Sequence, residues 1–281
     1  MKNKLRIPDA PKALQKGYPL KNVLGAEAIK CLANNISYVY PVFQAKEFKK
    51  TALDNLESLE FMDRGIHIAR VLRTFLPEKY DEAIRVILAS LTPANSETEG
   101  LGLAVLFYHP HGCFVSEYGL DKDYNEGDDP FDVSMHALYE LTKRNTSEFS
   151  IRPFLIQHQE RTLCILRQWV SDPDPHVRRL CSEGIRPRLP WAPRIPGFLK
   201  NPRPIFPILE KLKNDPSIYV RRSVANNLGD IAKDHPDLVY NKIENWLNKP
   251  TKEVKWLIRH ALRYPARKGD KDALKLRNAA K

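Results

Sequence analysis

One pattern recurs in the second half of this chain and restricts its fold more than any other feature. D-P-D-P-H-V-R-R occupies residues 172–179, and D-P-S-I-Y-V-R-R occupies 215–222, 43 positions later. A degenerate third copy, K-P-T-K-E-V-K-W, occupies 249–256, a further 34 on. Each copy follows an amphipathic stretch, at 163–170, 205–212 and 238–247. The spacing predicts a helix, a turn marked by Asp or Lys with Pro, and a second helix whose first turn tolerates proline. A single helix pair cannot bury its own apolar stripe, so the pairs must stack on one another.

The second helices of the three units can be laid out at about 100° per residue. Val177, Leu180, Cys181 and Gly184 cluster on one side of the first, opposite Arg179, Ser182, Glu183 and Arg186. Val220, Val224, Leu228 and Ile231 form the stripe of the next, opposite Arg222, Asn226, Asp230 and Lys233. In the third, Val254, Leu257, Ile258 and Ala261 oppose Trp256, Arg259, His260 and Arg263. A helix pair repeating at ~40–47 residues is the pattern of HEAT repeats. The expected fold is therefore all-α, an α-solenoid of HEAT-like repeats whose polar faces line up into one concave, basic surface.

Charge divides along the same line. Residues 1–150 carry a net charge of −3 and residues 151–281 a net of +14, within a total of +11. Such asymmetry points to a polyanionic partner, with nucleic acid ahead of an anionic membrane surface. The first half reads as helical too, from Ala26, Ile29, Leu32, Ala33 and Ile36, from Met62, Ile66, Ala69, Val71 and Leu72, and from Ala83, Ile84, Ile87, Leu88 and Leu91. Polar breaks fall at 93–102 and 119–130, with further helices expected at 131–143, 148–158 and 160–170. We expect one HEAT-like domain over 1–281, with an N-terminal helical part at 1–128 and the groove-bearing repeats at 129–269. The longest apolar stretch, 101–107, is far short of the ~20 residues that span a bilayer. The stretch M-K-N-K-L-R-I-P-D-A-P is basic but lacks the apolar core of a secretory signal, and the four scattered cysteines fit the reduced thiols expected of a cytoplasmic protein.

Several residues invite a functional reading. Glu183 lies in S-E-G-I-R-P-R-L-P-W, among Arg179, Arg186 and Arg188. On periodicity alone it is an ion-pair partner, yet a carboxylate facing phosphates is costly unless the ligand brings positive charge to meet it. Asp230 raises the same question beside Lys233. Glu148 sits at an expected helix start, with Arg152 four residues on. Trp191 follows Pro190 in a stiff, proline-rich connector and could offer its face to a cation or a base. D-K-D-Y-N-E-G, 121–127, lacks the glycine of a calcium loop, and H-P-H-G-C, 109–113, reads as a turn with no second cluster at metal spacing. No Walker A, G-x-S-x-G or G-x-G-x-x-G motif is present.

T-S-E-F-S-I-R-P-F, S-E-G-I-R-P-R-L-P-W-A, V-R-R-S-V-A-N-N-L-G-D and W-L-I-R-H-A-L-R together resemble the HEAT-like repeat DNA glycosylases of bacterial alkylation repair, AlkC type, related to AlkD. The match is dense from about 129 to 269. The resemblance implies a monofunctional glycosylase that hydrolyses the N-glycosidic bond of cationic methylated bases in base excision repair. These are 3-methyladenine and, in the AlkC branch, 3-methylcytosine or 1-methyladenine. It implies a lesion that is not flipped into a deep pocket, double-stranded DNA as partner, no cofactor and no metal. It also implies a monomer acting in the cytoplasm, at the nucleoid, with no membrane contact. Glu148, Glu183 and Asp230 match the family's catalytic carboxylates and Trp191 its lesion-contacting aromatic. DNA binding would fall to Arg152, Arg179, Arg186, Arg188, Arg222, Asn226, Lys233, Arg259, His260 and Arg263. Some relatives end in an immunoglobulin-like domain, which this chain is expected to lack. The competing reading is a non-catalytic HEAT-repeat module that binds nucleic acid, or a scaffold for an acidic protein.

Overall fold

The computed structural model describes residues 5–281. Among them lie sixteen α-helices, short 3-10 turns and no strand beyond one isolated bridge, Gln15 to Tyr18. No helix among the described residues is long and apolar enough to cross a membrane. The chain divides between Ile151 and Arg152 into two compact units.

The first unit holds α1 (Ala26–Val39), α2 (Ala45–Leu53), α3 (Phe61–Phe75), α4 (Tyr80–Ala89), α5 (His109–Tyr118) and α6 (Phe131–Thr142). Helix α3 packs along α5, while α4 and α5 both contact α6. The expected stripes are the core: Ile29, Leu32, Ala33 and Ile36 of α1, Ala83, Ile84 and Ile87 of α4. The H-P-H-G-C segment is not a turn. It begins α5, where Pro110 needs no hydrogen-bonded N–H. His109 stacks on Phe61, ring centres 4.9 Å apart, and burial pushes His109 and His111 down to about 4 and about 3. Both are neutral core residues at neutral pH. Gly65 makes the α3–α5 contact possible, since a Cβ there would lie 2.3 Å from the His109 ring.

The second unit holds α7 (Arg152–Gln157), α8 (Gln159–Trp169), α9 (Pro175–Glu183), α10 (Pro196–Lys200), α11 (Phe206–Leu212), α12 (Ile218–Ile231), α13 (Pro236–Leu247), α14 (Lys252–Ala261), α15 (Arg263–Arg267) and α16 (Lys271–Ala279). The pairs α8/α9, α11/α12 and α13/α14 are the three sequence repeats. Their second helices α9, α12 and α14 stack side by side in one layer, as in an α-solenoid of HEAT-like repeats. Val220, Val224, Leu228 and Ile231 are buried in it, with Val254, Leu257, Ile258 and Ala261 against them.

The Asp-Pro signal starts α9 as expected, with Asp174 as its cap and Pro175 in its first turn, and a Pro also marks the turn before each of the three second helices. Pro173, Pro216 and Pro250 stand two residues before their helices, in the turn. The preceding aspartate folds over that turn: Asp172 accepts the Asp174 N–H at 2.8 Å and Asp215 accepts the Ser217 N–H at 2.9 Å. The first arginine of each V-R-R then closes the turn. Arg178 donates to the carbonyls of Asp172 and Pro173 at 2.8 and 2.9 Å, and Arg221 to those of Asp215 and Pro216. Arg178 also forks onto the Asp215 carboxylate at 2.6 and 3.0 Å, tying one repeat to the next. Arg178 and Arg221 are thus structural, while Arg179 and Arg222, one residue and about 100° further on, face elsewhere.

Candidate active site

Within the second unit, the residues opposite the core stripes of α9, α12 and α14 converge. From the C-terminal end of α9 and the loop after it come Arg179, Glu183, Arg186 and Arg188. Helix α12 supplies Arg222, Asn226 and Asp230, with Lys233 just past its end, and α14 and α15 supply His260, Arg263, Tyr264 and Arg267. A cavity of about 480 Å³ opens among them, lined by Arg186, Arg188, Asp230, Lys233, Arg263 and Arg267 with Pro190, Asn226, Gly229, Ala261 and Tyr264.

One guanidinium organises the acids. Arg186 donates to Glu183 at 2.6 Å and to Asp230 at 2.8 Å, bridging α9 to α12. Arg179 lies 3.4 Å from the same Glu183 oxygen, and Lys233 pairs with the other Asp230 oxygen at 3.0 Å. The two acids are only 5% and 4% exposed. Burial works against the Glu183 charge, but Arg179 and Arg186 outweigh it and hold the carboxyl below its ordinary range. Asp230 reaches the cavity wall, whereas Glu183 lies behind Arg186.

The loop from Gly184 to Ile195 is held from beneath by Arg152. This side chain is 0% exposed, and its guanidinium donates to the carbonyls of Pro193, Gly184 and Arg186 at 2.6, 3.2 and 3.0 Å. The expectation that Arg152 meets DNA is therefore corrected: it positions the loop. Trp191 is its product, 74% exposed with φ at +64°. Left-handed backbone at a bulky residue costs ~1–3 kcal/mol and persists only where the surroundings enforce it. At that exposure Trp191 is no part of the core. It stands free directly after Pro190, a wall residue of the cavity.

The other expected DNA ligands separate into three groups. Arg222, Lys233 and Arg263 are exposed. Arg263 also donates to Asn226 at 2.9 Å, and His260 stacks on Trp256 with ring centres 5.0 Å apart. Burial, with Arg263 and Arg222 close by, pushes His260 down to about 4, so it is neutral at neutral pH. Arg179, Arg186 and Arg188 are instead committed to carboxylates, Arg188 gripping Asp234 twice at 2.7 Å. Arg259 does not serve the groove: it donates to the Ala280 carbonyl and caps α16. Sequence reasoning missed Tyr264 and Arg267, although an aromatic among cations in L-R-Y-P-A-R-K was there to see.

Glu148 belongs to the first unit. It lies in a turn after α6 rather than in a helix, is buried, and accepts from the Thr146 hydroxyl.

Comparison with known proteins agrees with this geometry. The HEAT repeat model matches residues 205–235, which contain α11 and α12. The Uncharacterized protein YhaZ of Bacillus subtilis (strain 168) is 38% identical over 258 residues, covering 92% of this chain and 67% of that protein. The structure of the Pseudomonas fluorescens alkylpurine DNA glycosylase AlkC, bound to DNA containing an abasic site analog, is 37% identical with a TM-score of 0.79. That likeness covers 93% of this chain and 68% of the other. With likeness at this level over more than nine tenths of its length, the chain belongs to the HEAT-like repeat DNA glycosylases of alkylation repair, AlkC type.

Proposed function

We propose that this chain is a monofunctional DNA glycosylase that hydrolyses the N-glycosidic bond of cationic N-alkylated bases in double-stranded DNA. The observation that carries it is the pair of buried carboxylates, Glu183 and Asp230, bridged by Arg186 at the wall of a basic cavity. In the reaction, the bond from the sugar C1′ to the base breaks and its electron pair leaves with the base. The base departs neutral, and the positive charge passes to the sugar. Water then adds to C1′ and gives up a proton. A fixed carboxylate beside the sugar stabilises the transient cation and orients the water. Trp191 offers the cationic base an electron-rich face.

The cavity itself supports a lesion left outside any deep pocket. Its wall carries Arg186, Arg188, Lys233, Arg263 and Arg267 against one carboxylate, Asp230. A cationic base would be repelled there, whereas a phosphodiester would be held. Arg222, Lys233 and Arg263 serve as phosphate ligands. Glu148 joins the candidate catalytic acids on its motif. The reading includes 3-methyladenine, 3-methylcytosine and 1-methyladenine as substrates, and a monomer acting in the cytoplasm at the nucleoid.

The test is single-turnover release of free base from DNA carrying one defined alkylated base. Glu183→Gln keeps size and hydrogen bonding, and should lower the rate about 10²–10³-fold while leaving most DNA affinity. Glu148→Gln and Asp230→Asn should also slow release, and the losses should not add. DNA binding without base release by the parental protein would identify a non-catalytic HEAT module instead.

A further inference from the structure

A second cavity, of about 410 Å³, adjoins the first and shares Gly229, Lys233 and Tyr264 with it. Tyr264 is the partition between them. The residue is 46% exposed, although α15 packs against both α14 and α16. Gly229 opens the floor on both sides. A Cβ there would lie 3.2 Å from the Ala261 carbonyl, so α12 and α14 come together without a side chain between them. The Arg267 guanidinium and the Lys268 ammonium stand 5.8 and 5.9 Å from the Tyr264 ring centre.

These features define what the ring can accept. Two cations already sit near its electron-rich face, so a third would meet repulsion. A cationic alkylated base is therefore a poor ligand for Tyr264. A neutral nucleobase, whose own phosphates reach the flanking cations, is a good one. An aromatic face between cations in a groove is the common means of holding an unstacked base. A base in intact duplex is stacked on both sides and offers no free face, whereas one beside an interruption does.

We propose that Tyr264 is a nucleobase-stacking residue that takes an ordinary base unstacked at an interruption in the duplex, while Arg267 and Lys268 bind its phosphates. The proposal rests on the reading of this groove as a DNA-binding surface, and gives it a preference for interrupted over intact duplex.

The experiment compares binding to an intact duplex and to the same duplex with a one-nucleotide gap, neither carrying an alkylated base. The parental protein should prefer the gapped DNA. Tyr264→Ala should weaken binding to it about 5-fold or more, the range of one lost base–aromatic stack, and change intact-duplex affinity less than about 2-fold. Tyr264→Phe should restore the preference. Arg267→Ala should weaken both duplexes alike and make the salt dependence shallower. Equal losses on both duplexes for Tyr264→Ala, no loss on either, or failure of phenylalanine to rescue would each overturn the proposal. Because the exposed ring contributes little to the core, a folded Tyr264→Ala protein is expected, and a matching circular dichroism melt checks it. The outcome is separable from excision. A parental protein that releases no base can still show the gap-selective loss. One that binds neither duplex refutes the DNA-binding reading and this proposal together.

Discussion

Replacing Arg186 with methionine removes the guanidinium that joins Glu183 to Asp230. The guanidinium is nearly buried, with a side-chain exposure of 11%, so its ion pairs are poorly screened. Breaking a buried pair by deleting one partner costs ~3–5 kcal/mol, because the remaining charge is left in low dielectric. Two carboxylates are affected here, yet each keeps a cation: Arg179 at 3.4 Å from Glu183 and Lys233 at 3.0 Å from Asp230. The lower end, ~3 kcal/mol, therefore applies. At about 4 °C per kcal/mol for a unit of this size, Tm should fall by ~12 °C. The pH dependence carries the sharper information. In the parental protein the Glu183 carboxyl is held below its ordinary value, so its contribution is complete above that value and lost only as pH falls through the depressed one. In Arg186→Met, burial acts on Glu183 with Arg179 and the Ser223 hydroxyl left in opposition, and the folded value rises. Its charge then becomes a liability at neutral pH that protonation relieves. The penalty should be largest between pH 7 and 8 and shrink towards pH 5 in urea or thermal melts. A penalty under ~1 kcal/mol, or one constant across that range, would refute the assignment of Arg186 as the group that keeps Glu183 ionised.

Two further outcomes follow from the same geometry. Arg222→Glu should weaken binding to damaged and undamaged duplex alike and make the slope of log K against log salt shallower, since phosphate contacts carry no sequence information; an unchanged slope and affinity in a salt titration would remove α12 from the DNA contact. Arg152→Met leaves three carbonyls without their donor, that of Gly184 buried, and should free the loop that carries Trp191, so trypsin should cut after Arg188 or Arg194 in the folded variant and not in the parental protein; equal protection in both would show that the loop stands without Arg152.

The helices were legible because burial leaves a periodic trace. Val220, Val224, Leu228 and Ile231 needed only their spacing to be placed on one buried face. The acids were also legible, since Glu183 and Asp230 lie on the polar faces of neighbouring repeats. The duties of the arginines were not. Arg178 and Arg179 are adjacent and chemically identical, yet one closes a turn and the other faces Glu183. Arg152 and Arg259 ended on backbone carbonyls of distant segments, contacts that set no period in the sequence. Their long side chains can satisfy an acid, a carbonyl or a phosphate equally well, and only packing decides which. Trp191 was recognisable as a candidate, but its exposure depends on the left-handed turn that the buried Arg152 supports.

The charge states at the site bear on which leaving group it can serve. A neutral base needs a proton to depart, and so requires a group that can donate one near neutral pH. Glu183 cannot do this, because its carboxyl is held below the ordinary range and is ionised throughout. His260, the imidazole on this face, titrates at about 4 and is already neutral. The remaining cations of the cavity wall, Arg186, Arg188, Lys233, Arg263 and Arg267, are donors of hydrogen bonds but very weak acids. The anionic Glu183 can stabilise a sugar cation, and neither it nor the neutral His260 can protonate a base, which suits a leaving group that is already positive. Release of a cationic alkylated base should therefore be flat with pH from about 5.5 to 8, with no limb assignable to Glu183 or His260. The measurement is single-turnover base release at saturating enzyme across that range, corrected for spontaneous loss. A bell-shaped profile, or a rise towards low pH, would reveal a titrating group in the reaction and would reopen the assignment of Glu183 as a fixed anion.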